Sequence, residues 1–215
     1  MNFLRIEQDC GFDADRIAAA TEALMSSRSL GHRQVVVDLP HVGEELAESF
    51  DGLGWKVDRH VVMVHRRPPD RPIDTGEVEI LGEAKVWPAR DRFLRTYEWC
   101  DNDDIAAQMH GAYRTWIRAG SGEDLGIVRD GGTVSFAMLW VHDHSAQIED
   151  VATIHEFRDQ GLSRAVVTRA VERAHERGCD FVFLVADGSD WPKELYRKLG
   201  FDPVGTLYYF LKTNS

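Results

Sequence analysis

The sequence has few of the features that mark secreted, metal-binding or membrane proteins. Its three cysteines, Cys10, Cys100 and Cys179, are odd in number and far apart, which argues against a disulfide framework and against a zinc motif. No apolar run approaches the roughly 20 residues of a transmembrane helix, and residues 1–7 lack the basic and then apolar pattern of a signal peptide. We therefore expect a cytoplasmic protein that does not insert into a membrane.

An excess of basic residues is also missing. The formal net charge is −11, with 25 lysines and arginines against 36 aspartates and glutamates. A general nucleic-acid-binding protein would present a basic stripe that neutralises phosphates, so we expect no nucleic-acid partner. An acidic surface mostly serves solubility, and it is compatible with a cationic substrate such as an amine.

The sequence does contain enough apolar material for a buried core, at 43% hydrophobic residues. Residues 88–119 predict two helices with a break near residues 101–104, where an aspartate or the asparagine can cap the second. Residues 162–177 place their small and branched apolar side chains on one helical face. Residues 181–186 form a continuous apolar run, which is typical of a strand buried on both faces. The predicted fold is mixed α/β (α+β), in the order β-α-α-β-β-β-α-β-α-β after residue 75.

A proline-rich segment divides the chain. Three of the five residues 68–72 are prolines, which cannot continue a helix or a central strand. The sequence therefore predicts a linker over residues 68–75, a shorter part over residues 1–67 and a larger domain over residues 76–215.

The shorter part resembles the end of the larger one. Residues 1–67 predict the order β-α-β-α-β, which is also the order of the elements after about residue 146. Gly54 and Gly200, each between a leucine and an aromatic residue, lie almost as many residues apart as Gly31 and Gly178. We therefore predict an incomplete internal duplication.

The strongest local signal lies at the start of the predicted helix over residues 162–177. Backbone N–H groups at a helix start lack intrahelical acceptors, and the helix dipole adds positive potential there. Gly161 lets the backbone approach a phosphate closely, and Ser163 is small. Arg158 and Arg164 add positive charge at the rim. The loop therefore predicts an anion site suited to a pyrophosphate.

Two sequence motifs together resemble the GNAT superfamily of N-acetyltransferases. The loop reads Arg158-Asp159-Gln160-Gly161-Leu162-Ser163 and resembles the family's pyrophosphate motif R/Q-x-x-G-x-G/A, with serine at the last small position. Further on, Leu195-Tyr196-Arg197-Lys198-Leu199-Gly200-Phe201 resembles the family's L-Y-x-K-L-G-F. The resemblance covers about residues 76–212, whereas residues 9–14 offer no such phosphate motif. It implies an acyl-CoA N-acyltransferase fold preceded by a degenerate half domain.

The resemblance also implies how a co-substrate binds. Acetyl-CoA would lie where the strand before the phosphate loop splays from its neighbour, with its pantetheine arm on the backbone of Val151, Ala152 and Thr153. Residues 158–164 would hold its pyrophosphate. Many family members have a cofactor-contacting asparagine seven residues before the tyrosine, and here that position is Ser189, which retains only a hydroxyl.

The resemblance further implies direct transfer of the acetyl group from the thioester to an amine. Tyr196 matches the family tyrosine that protonates the departing thiolate, although aromatic packing alone would also explain it. Glu149 and Asp150 are the candidate bases; strand alternation sends them to opposite faces, so only one can serve. Both could instead be a solvated pair at the start of a strand. Bulk water can also accept the amine's proton, so no single base is required.

The expected acceptor is an amine of a small molecule or a peptide, and the protein is expected to be a monomer or a homodimer. A non-catalytic acyl-CoA-binding or regulatory module is the alternative function, because the degenerate first part has already lost its phosphate motif.

Two further groups of side chains have competing interpretations. His142 and His144 are predicted on one strand face near His155, but no third ligand follows at a metal-binding spacing, so we expect surface histidines and no metal site. His110, Tyr113 and Trp116 are spaced at three-residue intervals on a predicted helix. They would either pack in the core or wall an aromatic acceptor pocket.

Overall fold

The protein is described by a computed structural model that covers residues 2–100, 102–120, 122–189 and 191–213. It contains six α-helices, nine strands and one short 3₁₀ helix within this range. In chain order they are β1 (Leu4–Ile6), α1 (Ala14–Ser26), β2 (His32–Val37), α2 (Pro40–Gly52), β3 (Lys56–His65), β4 (Glu79–Leu81), α3 (Glu83–Leu94), α4 (Asp103–Ala119), β5 (Gly122–Arg129), β6 (Gly132–His142), β7 (Ser145–Thr153), the 3₁₀ helix (His155–Phe157), α5 (Leu162–Glu176), β8 (Phe181–Asp187), α6 (Pro192–Lys198) and β9 (Phe201–Thr213). This order confirms the predicted mixed α/β fold.

The chain divides into two compact units. The first unit comprises Met1–Met63, Val185–Glu194 and Pro203–Ser215, and the second comprises Val64–Leu184 and Leu195–Asp202. No helix in the described part of the chain is long and apolar enough to cross a membrane.

The first unit is built on strands β1, β2, β9 and β3, which lie side by side in that order. β1 runs parallel to β2, and β2 runs antiparallel to β9 from His32 opposite Thr213 to Val37 opposite Tyr208. Phe50 of α2 packs against this sheet, stacked on Phe210 with ring centroids 4.2 Å apart. These buried rings give the unit a hydrophobic core of its own.

The second unit contains an antiparallel meander of β4, β5, β6 and β7. β7 then pairs in parallel with β8, with Ser145 opposite Phe181 and Ile148 opposite Leu184. The β5–β6 hairpin turns through two residues with positive φ, Asp130 and Gly131, as expected for the tight turns that match strand twist.

Helix α5 packs across β5, β6 and β7 and fixes the position of its own N-terminus. Its buried face carries the residues that the sequence pattern places together: Leu162, Ala165, Val166, Ala170, Val171 and Ala174. The helix stops at Gly178, whose φ of 82° is left-handed, and the N–H of Gly178 donates to the His175 carbonyl at 2.9 Å. The periodicity therefore predicts both the helix and its buried face correctly.

Helix α4 begins where the sequence predicts. Asn102 is its N-cap, and the side-chain oxygen accepts a hydrogen bond from the Ile105 N–H at 3.0 Å. The start of α3 differs, because that helix begins at Glu83 and contains Pro88 in its interior.

Two local predictions are wrong. Strand β8 is not buried on both faces: its alternate residues, such as Leu184, are buried, whereas Phe181 is 47% exposed. His144 does not lie on a strand beside His142, because β6 ends at His142 and Asp143 and His144 form the turn before β7. Both histidines are exposed, as expected.

The proline-rich segment contains neither helix nor strand, as predicted, but hydrogen bonds fix it within the second unit. The Arg66 N–H donates to the Gly200 carbonyl at 3.0 Å, and the Asp70 N–H donates to the Lys198 carbonyl at 2.8 Å. Gly200 has a φ of 95°, and a Cβ there would lie 1.8 Å from the Arg67 carbonyl oxygen. The glycine of the second motif is thus required for the close approach of this segment.

Candidate active site

The loop between β7 and α5 presents backbone N–H groups at the start of a long helix. Gly161 is the N-cap, with φ 79° and ψ 6°, and no side chain caps the helix. In the described part of the chain, no group accepts a hydrogen bond from the N–H of Gly161, Leu162 or Ser163. Three donors therefore remain open at the positive end of the α5 dipole, which suits an anion.

A chain of hydroxyls ties this first turn to the sheet. Thr153 Oγ1 and Ser163 Oγ are 2.7 Å apart, and Ser135 Oγ lies 2.9 Å from Thr153 Oγ1. Ser135 also donates to the Ala152 carbonyl at 3.1 Å. The serine at the last position of the motif thus bonds to β7, which accounts for a polar residue where the family pattern has glycine or alanine.

The two arginines expected at the rim of the anion site, Arg158 and Arg164, have different environments. Arg158 is exposed, and its Nε points to the Thr153 carbonyl at 3.4 Å. Arg164 is buried and forms an ion pair with Asp70 of the proline-rich segment. Its charge is therefore neutralised inside the unit, and Arg158 alone carries the positive charge expected of this arginine pair at the rim.

The neighbouring loop residues complete the site's edge. Asp159 is exposed and adopts a left-handed φ of 62°. The Gln160 side-chain oxygen accepts a hydrogen bond from Arg129 Nη1 at 3.1 Å. A cavity of about 380 Å³ opens beside these residues, and its walls include Arg71, Arg129 and Gly161.

Strand β7 contains a β-bulge next to the loop. Met138 of β6 pairs with Glu149, but Phe136 pairs with Ala152, so one residue of β6 faces two residues of β7. Asp150 has a left-handed φ of 52°, an uncommon conformation for a residue other than glycine. Regular alternation is interrupted here, so the expectation that Glu149 and Asp150 point to opposite faces does not hold.

Asp150 is held by two side chains. Its Oδ1 accepts a hydrogen bond from the Tyr113 hydroxyl at 2.9 Å, and its Oδ2 lies 3.5 Å from Arg90 Nη2. Burial raises the pKa of Asp150, while the Arg90 charge and the Tyr113 hydrogen bond oppose that rise. Burial, followed by the charge of Asp150, raises the pKa of Tyr113, so the phenol stays protonated and donates.

Glu149 is the more accessible of the two carboxylates. It accepts hydrogen bonds from the Trp140 indole N–H at 3.0 Å and from the Gln147 amide at 2.6 Å. Partial desolvation by the surrounding protein raises the pKa of Glu149, and the neighbouring Asp150 charge raises it further. A carboxylate with a raised pKa accepts a proton more readily near neutral pH.

The aromatic residues of α4 lie beside these carboxylates. Tyr113 packs edge-on against Trp116, with ring centroids 5.4 Å apart, and His110 lies 5.2 Å from Trp87 of α3. His110, Tyr113 and Trp116 are half-buried, which matches neither a full core position nor a free surface. The hydrogen bond from Tyr113 to Asp150 connects this helix to one of the two predicted carboxylates.

The remaining predicted site residues lie further along β7 or on other elements. Val151 and Thr153 are half-buried and Ala152 is buried. Val151 is the second residue of the bulge, and Ala152 and Thr153 follow it. Tyr196 of α6 is buried and packs edge-on against Phe201, at 6.2 Å between ring centroids.

Ser189 belongs to the first unit, unlike the other predicted site residues. It is exposed, and both its N–H and its hydroxyl donate to the same oxygen of Asp187, at 2.7 and 2.6 Å. The hydroxyl that replaces the family's asparagine is therefore already engaged locally. Among the described residues, no group of three or more His, Cys, Asp or Glu side chains could hold a metal ion.

Arg90 and Asp124 are part of the site and were not predicted from the sequence. Arg90 is 1% exposed, and its Nη2 donates to Asp124 at 2.8 Å. A signal for Arg90 exists, since it lies four residues after Val86 and four before Leu94 on the buried face of α3. No comparable local pattern marks Asp124.

Comparisons with known proteins identify relatives in sequence and in structure. The acetyltransferase (GNAT) family model matches residues 86–201. A protein of Bacillus subtilis (strain 168), provisionally named a ribosomal protein bS18-alanine N-acetyltransferase, is 32% identical over 90 residues. That match covers 41% of this chain and 60% of the relative, so this chain spans less than two thirds of the relative's length.

Two solved structures cover almost the whole chain. A functionally unknown conserved protein from Staphylococcus epidermidis ATCC 12228 has a TM-score of 0.68 at 18% identity, over 95% of this chain and 82% of that one. A tandem GNAT protein from the clavulanic acid biosynthesis pathway has a TM-score of 0.65 at 14% identity, over 97% of this chain and 74% of that one. At these identities the likeness concerns the fold, and it agrees with the predicted half repeat. Because the family model matches more than half of its residues, the chain belongs to the acetyltransferase (GNAT) family.

Proposed function

We propose that this acetyltransferase transfers the acetyl group of acetyl-CoA directly to an amine. The nitrogen lone pair attacks the thioester carbonyl carbon, and the C–N bond forms as the C–S bond breaks. A neutral amine nitrogen must lose one proton during the transfer, and the departing thiolate must gain one. An amine that binds as a cation first releases one further proton to water. The chain's residues therefore have three tasks: to hold the co-substrate, to accept the first proton and to donate the second.

The open N-terminus of α5 is the observation that carries this proposal. The free N–H groups of Gly161, Leu162 and Ser163 would hold the pyrophosphate of acetyl-CoA, with Arg158 at the rim. Residues 151–153 of β7 would hydrogen-bond to the pantetheine arm with their backbone. The hydroxyl pair of Thr153 and Ser163 supports this arrangement, since it fixes the strand and the helix start to each other.

Glu149 is the general base in this proposal, and Asp150 is a fixed negative charge beside it. Both oxygens of Asp150 face donors, the Tyr113 hydroxyl and the Arg90 guanidinium, within a half-buried position. Glu149 is exposed, accepts hydrogen bonds from two neutral donors and has a raised pKa. These properties favour Glu149 for accepting the amine proton, directly or through one water molecule.

Tyr196 is the proposed donor of the second proton. A phenol can protonate a thiolate, and Tyr196 occupies the tyrosine position of the family's L-Y-x-K-L-G-F pattern. Its burial against Phe201 would limit the side chain to few orientations.

The proposed acceptor is an amine that binds as a cation. Two carboxylates, Glu149 and Asp150, and the rings of Tyr113 and Trp116 lie at this end of the second unit, and both kinds of group attract cations. The name of the Bacillus subtilis relative makes the N-terminal amine of an alanine peptide one candidate. We further propose that residues 76–215 carry the activity and that residues 1–67 are a degenerate half domain.

Thiol release from acetyl-CoA over a panel of amines tests this function. The panel includes polyamines, amino acids and peptides with an N-terminal alanine. Release with at least one amine, reduced in Tyr196→Phe without a change in acetyl-CoA affinity, is the expected result. Acetyl-CoA binding without release for any amine would instead favour a non-catalytic acyl-CoA-binding module.

A further inference from the structure

We propose that Arg90 is a positioning residue for acetyl transfer. It fixes Asp150 at the bulge of β7 and, through the charge of Asp150, sets how readily Glu149 accepts a proton. This inference rests on the proposed role of Glu149 as the base. It concerns a helix residue outside both sequence motifs.

The geometry around Arg90 is that of one buried cation between two acids. Its Nη2 donates to Asp124 at 2.8 Å and lies 3.5 Å from Asp150. Its guanidinium carbon lies 4.9 Å from the ring centroid of Tyr113 and 5.4 Å from that of Phe136. In the described part of the chain, the Nε and Nη1 atoms are buried and have no hydrogen-bond partner.

Burial of the Arg90 charge lowers the stability of the fold, so its presence calls for a functional explanation. An arginine without full hydrogen bonding inside a protein is destabilising, and an apolar side chain of similar size would fill the space at a lower cost. Asp150 is the partner of Arg90 that suggests a role in the reaction, because it is the neighbour of the proposed base Glu149 in the chain.

The conformation of Asp150 also needs support. A left-handed φ is uncommon for a residue other than glycine, and Asp150 has a φ of 52°. Arg90 from α3 and Tyr113 from α4 contact its two oxygens. Together they hold the bulge in place and link the two helices to β7.

The charges around the bulge affect one another's pKa values. Asp150 is faced by Arg90 from α3, Tyr113 from α4 and Asp124 from β5, and its neighbour on β7 is Glu149. Arg90 lowers the pKa of Asp150 against the effects of burial and of Asp124. Ionised Asp150 in turn raises the pKa of Glu149.

The other groups around Glu149 do not cancel the rise that Asp150 causes in its pKa. Trp140 from β6 and Gln147 from β7 donate neutral hydrogen bonds to it. Tyr113 remains protonated. Among these groups, Asp150 is therefore the one whose charge can change, and Arg90 is the cation that keeps Asp150 ionised.

Arg90→Gln tests the proposal with two measurements. The first is an NMR titration of the ¹³C-labelled Glu149 carboxyl, and the second is the pH dependence of kcat/KM for the amine. Without the cation Asp150 protonates more easily, so Glu149 loses a neighbouring charge. We expect its titration and the acidic limb of kcat/KM to move down by about 0.5–1 pH unit. We also expect kcat to fall at least about tenfold, with acetyl-CoA affinity unchanged within about twofold.

Matched variants separate positioning from folding. Asp150→Asn should move the Glu149 titration in the same direction, and the double variant with Arg90→Gln should move it no further. Lysine keeps the charge but cannot span both acids, so Arg90→Lys should give a smaller shift and recover part of kcat. If Arg90→Gln does not fold, Arg90→Lys decides the question.

An unchanged Glu149 titration in a folded Arg90 variant would overturn the inference, even with a large loss of kcat, because that loss would then be structural. Failure of the wild type to acetylate any amine would count against the proposed function. The NMR titration needs no turnover, so it still decides whether Arg90 controls Glu149.

Discussion

The hydroxyl of Tyr113 donates to Asp150 at 2.9 Å and thereby joins helix α4 to the bulge of β7. The two residues are 37 positions apart in the sequence. Their contact brings the aromatic side of α4 beside the carboxylates, at the strand that leads into the phosphate loop.

Tyr113→Phe removes this hydrogen bond and keeps the ring. We expect a loss of about 1–2 kcal/mol in the free energy of unfolding, a several-fold lower kcat/KM for the amine and unchanged acetyl-CoA affinity. Denaturant unfolding and steady-state kinetics measure these quantities. Thr115→Ala on the same helix is the control, because that exposed hydroxyl donates to the Gly111 carbonyl of its own helix. Equal effects of both variants on kcat/KM would contradict the assignment.

Glu149→Gln tests the general base. We expect kcat to fall about 10²–10⁴-fold, with acetyl-CoA affinity unchanged. In the wild type, activity should rise as pH rises through the pKa of Glu149, which lies above the ordinary glutamate range because of desolvation and Asp150. That acidic limb should vanish in the variant. Glu45→Gln at an exposed position of α2 should leave the pH profile intact. An acidic limb that persists in Glu149→Gln would belong to another group.

Gly161→Ala tests the phosphate loop. A Cβ at Gly161 meets no atom within 4 Å, so the substitution mainly adds left-handed strain of about 1 kcal/mol. It also obstructs a phosphate, so we expect acetyl-CoA affinity to fall about tenfold or more. Gly131→Ala in the β5–β6 hairpin is the control, with a similar φ and equally open space. Calorimetry with both variants would refute the loop's role if they bind CoA equally well.

Gly200→Ala tests why the second motif needs glycine. Its φ is 95°, and the new Cβ would meet the Arg67 backbone, so we expect a loss of more than about 2 kcal/mol in the free energy of unfolding. Gly178→Ala has a comparable φ but open space, and about 1 kcal/mol is expected there. Similar losses for the two variants would show that backbone strain alone matters at Gly200.

The sequence predicted the parts of this site that local patterns determine. The apolar period of α5 and its glycine-bearing start are both local signals, and the structure confirms each. The family resemblance is confirmed by the match over residues 86–201. The boundary between the predicted half domain and the predicted acetyltransferase domain stays a prediction, as do the roles of the site residues.

The parts that were missed depend on contacts between distant residues. Alternation along β7 failed at Asp150, because a register shift against β6 has no local signature. Arg90 was overlooked because arginine is usually exposed, and its partners Asp124 and Asp150 lie on two different strands. The apolar run of β8 does not show which of its side chains will lack other residues packed against them. Phe181 is exposed in the structure.

Isothermal titration calorimetry of the full chain with coenzyme A tests the central claim most directly. The account predicts one site per chain with micromolar affinity or better, weakened in Gly161→Ala and unchanged in Gly131→Ala. The absence of heat with coenzyme A and with acetyl-CoA at millimolar concentration would contradict the anion site at α5, and the proposed acetyl transfer would fall with it.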